Sequence, residues 1–241
     1  MKAAAFELAC PTDLAEASAL LAQPGARALA GGQSLGPMLN LRLLRPALLV
    51  QLSGVAALQG VQETAEAVTI GASVTHAAIA DGTVPDIGQN VLARVAEGIA
   101  YRAVRNRGTI GGSLCHADPA ADWLTTLTAL GAEVLTSFSR RLPMVDFVRG
   151  AFQTALQPGE LLLAVRVPRL RAGARWGYVK TCRKPGEFAH AMAAVLIDAP
   201  RGIRRAVIGA IGGAPEVLEG DAPPSGLHGV VLRRALAEAS A

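Results

Sequence analysis

Apolar positions along this chain switch between a period near 3.6 and a period of two, and the switches outline its elements. Leu14, Ala17 and Leu21 share one face of a short helix, with Thr12 placed to cap it and Pro24-Gly25 to stop it. Arg27 to Ala30 reads as a short buried strand feeding Gly31-Gly32-Gln33-Ser34, and Pro37 opens a helix carrying Met38, Leu41 and Leu44. Leu48 to Leu52 is a second strand. Val61 to Ala72 predicts a hairpin with Ala67-Val68-Thr69-Ile70 as one arm. Thr75 caps a helix over His76 to Ala80, and Val84 to Ala100 predicts an amphipathic helix through Leu92, Val95, Ala96 and Ile99.

Asp118-Pro119 then reads as the N-cap and first position of a helix carrying Trp123, Leu124, Leu127 and Leu130. Strands follow at Ala132 to Thr136 and Leu142 to Met144, around a turn at Ser139-Arg140-Arg141. Glu160 to Pro168 is a strong strand signal stopped by proline. The Arg-, Gly- and Ala-rich stretch Arg169 to Arg175 reads as a linker. It divides the chain into residues 1–173, with subdomains of about 1–55 and 56–173, and residues 174–241. Beyond it, Trp176 to Thr181 and Ile203 to Ile211 read as strands. Ala189 to Ile197 is so uniformly small and apolar that periodicity does not choose between helix and strand. Glu216 to Gly229 is short and Pro/Gly-rich, and Val230 to Ala239 reads as a helix.

Composition narrows the class. The 241 residues suffice for one large or two modest cores, and with 51% hydrophobic but only 4% aromatic residues those cores are built from Ala, Leu and Val. No stretch reaches ~18 uninterrupted apolar residues, so no transmembrane helix is expected. Glu7 follows the N-terminus too closely for a signal peptide, and a cytoplasmic location is expected. The net charge of +4 is spread over scattered arginines with no aromatic interleaving, which argues against nucleic-acid binding. Cys10, Cys115 and Cys182 lie far apart, too few for an iron–sulfur cluster that takes about four thiolates. His76, His116, His190 and His228 have no metal-ligand spacing, so no metal site is expected. No Ser/His/Asp set or paired carboxylate marks a catalytic residue.

The chemistry concentrates in two glycine-rich stretches. In Ala30-Gly31-Gly32-Gln33-Ser34-Leu35, a strand gives way to a loop and then a helix start, a geometry suited to a pyrophosphate. It is neither a Gly-x-Gly-x-x-Gly fingerprint nor a P-loop, and alone it reads more readily as a tight turn. The second stretch runs from Val104 to Asp122. It holds Arg105 and Arg107, Gly111-Gly112 flanked by the hydroxyls of Thr109 and Ser113, then Asp118-Pro119 and Asp122. Amides and hydroxyls in such an arrangement can surround a diphosphate without a metal. Arg105 and Arg107 fit either a phosphate contact or a brace for the loop.

The two stretches, in this order, closely resemble the FAD-binding motifs of the molybdenum hydroxylase flavoproteins: the medium subunits of aerobic carbon monoxide dehydrogenase-like enzymes and the flavin domain of xanthine dehydrogenase. The resemblance runs from about Leu14 to Gly213. It implies an α+β chain: a two-subdomain FAD-binding fold of the vanillyl-alcohol-oxidase/PCMH type, then a small, shortened C-terminal α+β domain with a three-stranded antiparallel sheet. It implies non-covalent FAD, with Ala30, Gly31, Gly32, Gln33, Ser34 and Leu35 as the first pyrophosphate loop. Thr109, Ile110, Gly111, Gly112 and Ser113 form the second. Ile99 is implied to pack on adenine, Asp122 to sit at the adenosine end, Leu162 near the isoalloxazine ring, and Lys180 on the pyrimidine side of that ring. Ile99 reads also as a helix core residue, Asp122, without the resemblance, equally as a first-turn helix acid, and Lys180 also as a surface lysine at a strand end.

The family also implies partners: an iron–sulfur small subunit and a molybdopterin large subunit, in a heterotrimer or a dimer of heterotrimers. Electrons would pass from the partner's clusters through this chain to an external acceptor. Two other readings stay open, a stand-alone FAD-dependent oxidoreductase and a flavin-free structural subunit.

Overall fold

The computed structural model describes residues 2–219 and 224–240. Three parallel strands open the chain: β1 (Glu7–Ala9), β2 (Ala26–Leu29) and β3 (Leu48–Gln51), in spatial order β1-β3-β2. Helix α1 (Leu14–Leu21) joins the first two strands, and α2 (Leu35–Asn40) the second and third. Asp13 rather than Thr12 caps α1, its carboxylate accepting from Glu16 N at 2.9 Å. Helix α2 starts two residues before Pro37 and ends at Asn40, which leaves Leu41 outside it and exposed.

A hairpin of β4 (Val61–Glu63) and β5 (Ala67–Gly71) begins the second region. Helices α3 (His76–Ala80), α4 (Val91–Glu97), α5 (Arg102–Arg105), α6 (Ile110–His116) and α7 (Asp122–Leu130) follow. Then come β6 (Glu133–Thr136), β7 (Arg141–Pro143), the single turn α8 (Met144–Phe147), the small hairpin β8 (Val148–Gly150) and β9 (Gln153–Thr154), and β10 (Leu162–Pro168). Five of these strands form one antiparallel sheet in the order β4-β5-β10-β6-β7. Two helix expectations need correction. Over Val84 to Ala100 only α4 is helical, because Gly88, Gln89 and Asn90 all have positive φ just before it. Asp118 does not cap α7: its carboxylate accepts from Ala120 N at 3.0 Å in a tight turn, and α7 starts at Asp122 with Ala121 as N-cap.

The last sheet is β11 (Arg175–Thr181), β12 (Ala191–Asp198), β13 (Ile203–Gly209) and β14 (Glu216–Val217), all antiparallel in that order. It has four strands, not three, because Glu216 and Val217 pair with Ile208 and Val207. Helix α9 (Gly226–Glu238) closes the chain, longer at its start than Val230. Residues 220–223 of the Pro/Gly-rich segment lie outside the described residues.

Strand β12 resolves its own ambiguity by being buried on both faces, which erases the polar half of a period-two pattern. Ala191, Ala193 and Val195 pack with Val231, Leu232 and Ala235 of α9. Ala194 and Leu196 join Trp123, Leu124 and Leu127 of α7 in the main core. All nine residues of α7 are buried. Among the described residues no strand of the last sheet pairs with an earlier sheet, yet the core runs on across residue 174 through Trp176, Leu196 and Val207.

Candidate functional site

The two glycine stretches meet. A methyl group built on Gly31 would collide with the carbonyl oxygen of Arg107, and one on Gly112 would come within 3.3 Å of the Ala30 side chain. Position 31 is therefore glycine because two backbones touch there. Gly32, with φ +72°, turns the chain into α2. Gln33 folds its side-chain amide back onto Gly31 O at 3.0 Å and braces the loop. Among the described residues, no protein group accepts a hydrogen bond from the amides of Gly31, Gly32, Gln33 or Ser34. Four uncommitted donors at a strand–helix junction suit a diphosphate.

The second stretch is built differently. Its glycines lie in the first turn of α6, not in a loop, and their amides are occupied. Ile110 N donates to Val74 O at 3.0 Å, Gly111 N to Ala72 O at 2.9 Å, and Gly112 N to the Thr109 side-chain oxygen at 3.0 Å in an N-cap. Gly111 is buried against Ala72, where an added Cβ would lie 2.5 Å from that residue's Cβ. What this turn keeps besides its amides is hydroxyl chemistry on half-buried Ser113 and on Thr109, whose oxygen already caps the helix, with Gly112 against Ala30. Arg105 proves to be a brace: its guanidinium donates to Glu97 O, Ile99 O and Ala100 O at 3.0–3.2 Å, closing the turn after α4. Behind Gly108, His76 accepts from Trp123 Nε1 at 3.1 Å. Burial and then the Arg105 charge lower the His76 pKa to about 4, so it stays a neutral acceptor.

At the start of α7 lies a second cluster. Lys180 Nζ donates to Asp122 Oδ1 at 2.8 Å, to Asp122 Oδ2 at 3.1 Å and to Gly98 O at 3.0 Å. Tyr178 donates its hydroxyl to Asp122 Oδ1 at 2.8 Å. Both Lys180 and Asp122 are nearly enclosed, at 9% and 5% exposure. Tyr178 and Lys180 sit two apart on β11, so both face α7. Burial, then the Asp122 charge, push the Tyr178 hydroxyl well above its ordinary range and keep it a donor.

This cluster brings three of the expected residues together. Ile99 directly follows Gly98, so Ile99, Asp122 and Lys180 share one neighbourhood. Leu162 is buried in the main core at the start of β10, beside a bulge in the β6 ladder. Tyr178 and His76 escaped the sequence reading. Nothing local marks His76, although a Tyr on an apolar strand, two residues before a Lys, is a usable signal for Tyr178.

Residues 4–170 match the family described as the FAD binding domain in molybdopterin dehydrogenase. The chain belongs to this family. It is 36% identical over 205 residues to the caffeine dehydrogenase subunit beta of Pseudomonas sp. (strain CBB1), covering 83% of this chain and 70% of that one. It is 37% identical over 222 residues to the 6-hydroxypseudooxynicotine dehydrogenase complex subunit alpha of Paenarthrobacter nicotinovorans, covering 88% and 74%. The carbon monoxide dehydrogenase of Hydrogenophaga pseudoflava, solved without the Mo-pyranopterin moiety of its cofactor, superposes with a TM-score of 0.90 at 29% identity. That match covers 100% of this chain and 99% of the other. As an FAD-binding member of this family, the chain is an oxidoreductase component, and the open amides at Gly31–Ser34 fit the cofactor's diphosphate. Among the described residues, no helix is long and apolar enough to cross a membrane, and no His/Cys/Asp/Glu group could hold a metal.

Proposed function

We propose that this chain is the FAD-carrying electron-transfer subunit of a multi-subunit molybdenum hydroxylase. In this reading it receives electrons from iron–sulfur clusters of a small subunit and delivers them to an external acceptor. A molybdopterin large subunit carries out the hydroxylation, and the three chains form a heterotrimer or its dimer in the cytoplasm. The observation that carries it is the meeting of the two glycine stretches, with four amides left uncommitted at one of them. Bound FAD supplies reversible electron storage. The residues of this chain hold and orient it without a covalent link. Gly31, Gly32, Gln33 and Ser34 present amides to the diphosphate, with Ser34, Thr109 and Ser113 adding hydroxyls and Ala30 and Gly112 forming the floor. Leu35, Ile110 and Gly111 fix the two turns behind them. Asp122 at the start of α7 stands with Lys180 and the Gly98–Ile99 turn, the flavin end in this reading, with Leu162 in the wall behind.

The test is anaerobic mixing of the yellow chain with organic substrates, first alone and then with its two partner subunits. Bleaching only in the mixture is the expected result. Bleaching at full rate by the chain alone would instead make it a self-sufficient oxidoreductase.

A further inference from the structure

An ammonium has three N–H bonds, and Lys180 directs its contacts at three protein oxygens, two on Asp122 and one on Gly98. Nothing remains for a bound cofactor. If Lys180 serves the flavin end, as the reading above has it, it must release a partner. Releasing Asp122 would leave a carboxylate with 5% exposure short of a donor, an expensive state for a buried charge. The Tyr178 hydroxyl is the other donor on that carboxylate, and it does not depend on where Lys180 points. Tyr178 is itself anchored from behind: its backbone N–H donates to Glu238 Oε2 of α9 at 3.1 Å.

We propose that Tyr178 is a positioning residue that holds Asp122 in place while Lys180 exchanges it for the cofactor. This rests on the FAD reading above, and it adds to it a residue that never touches the flavin. Its function is to lower the cost of turning Lys180 outward. Removing the hydroxyl leaves Lys180 locked on Asp122 and weakens FAD without loosening the fold. Where position 122 carries no charge, the hydroxyl has nothing to compensate and its removal changes nothing.

A double-mutant cycle tests this. FAD is stripped from the full chain, and its dissociation constant and reduction potential are measured for wild type, Tyr178→Phe, Asp122→Asn and the double variant. Tyr178→Phe should weaken FAD about tenfold against wild type and less than about twofold against Asp122→Asn. Its reduction potential should fall, because Lys180 stays with Asp122. Lys180→Met serves as a second background, where Tyr178→Phe should likewise be silent, in case Asp122→Asn folds poorly. The same loss of affinity in every background, or none in wild type, overturns the role of Tyr178 and leaves the FAD reading standing. A wild-type chain that binds no FAD overturns both.

Discussion

Gly31-Gly32 and Gly111-Gly112 look alike in the sequence and are used in opposite ways. The first pair leaves its amides open and touches a neighbouring backbone only at Gly31. The second pair donates both amides to protein acceptors and buries Gly111 against Ala72. In the proposed function the first is the receptor; the second is the joint that holds the receptor's wall. A glycine pair therefore says that something comes close, and only the tertiary structure says whether it is a ligand or the chain itself.

The strongest challenge to this contrast is Gly111→Val. A branched side chain at that site meets Ala72 and should cost about 3 kcal/mol or more of stability. The variant should unfold early or remain insoluble; a normal melting temperature would refute the packing role. Acid probes the same joint by another route. The His76 pKa falls from 6.5 to about 4 on folding, so the unfolded chain binds the extra proton first. The contribution is complete above pH 6.5 and disappears as pH drops towards 4, amounting to about 3 kcal/mol. Urea midpoints followed by Trp123 fluorescence should fall through that window, and His76→Gln should flatten this component of the profile. The gentlest probe is Gly32→Ala. The nearest atom, Leu29 Cδ1 at 3.3 Å, is the end of a side chain that can shift slightly, but φ of +72° costs an alanine about 1–2 kcal/mol. Here the expectation reverses: the fold survives and flavin occupancy drops, so full occupancy would remove Gly32 from the receptor.

Much of the fold was legible because local chemistry decides it. Thr75 caps α3 as its position suggests, accepting from Ala78 N at 3.1 Å. The β4–β5 hairpin forms where the stretch from Val61 to Ala72 predicts it. Asp118-Pro119 misled because a side-chain cap and a tight turn use the same carboxylate–amide bond, and only the following backbone separates them. The long helix over Val84 to Ala100 failed where Pro85 and Gly88 interrupt it, which apolar spacing alone ignores. At the site, the two motifs were visible as strings. The pairing of Asp122 with Lys180 was not, because fifty-eight positions separate them and neither residue's neighbours hint at the other. Nor could the sequence show that the Gly111 amide is occupied, since its acceptor at Ala72 lies on a different segment.

The sandwiching of β12 between α7 and α9 also sets an order of events during synthesis. Helix α7 leaves the ribosome long before the strand that covers it, with Trp123, Leu124 and Leu127 already in place. Until Ala194 and Leu196 emerge, that face has no lid. The nascent chain must shelter its apolar helix, or borrow a chaperone to do so, and a stop codon anywhere before β12 would release a product prone to aggregate.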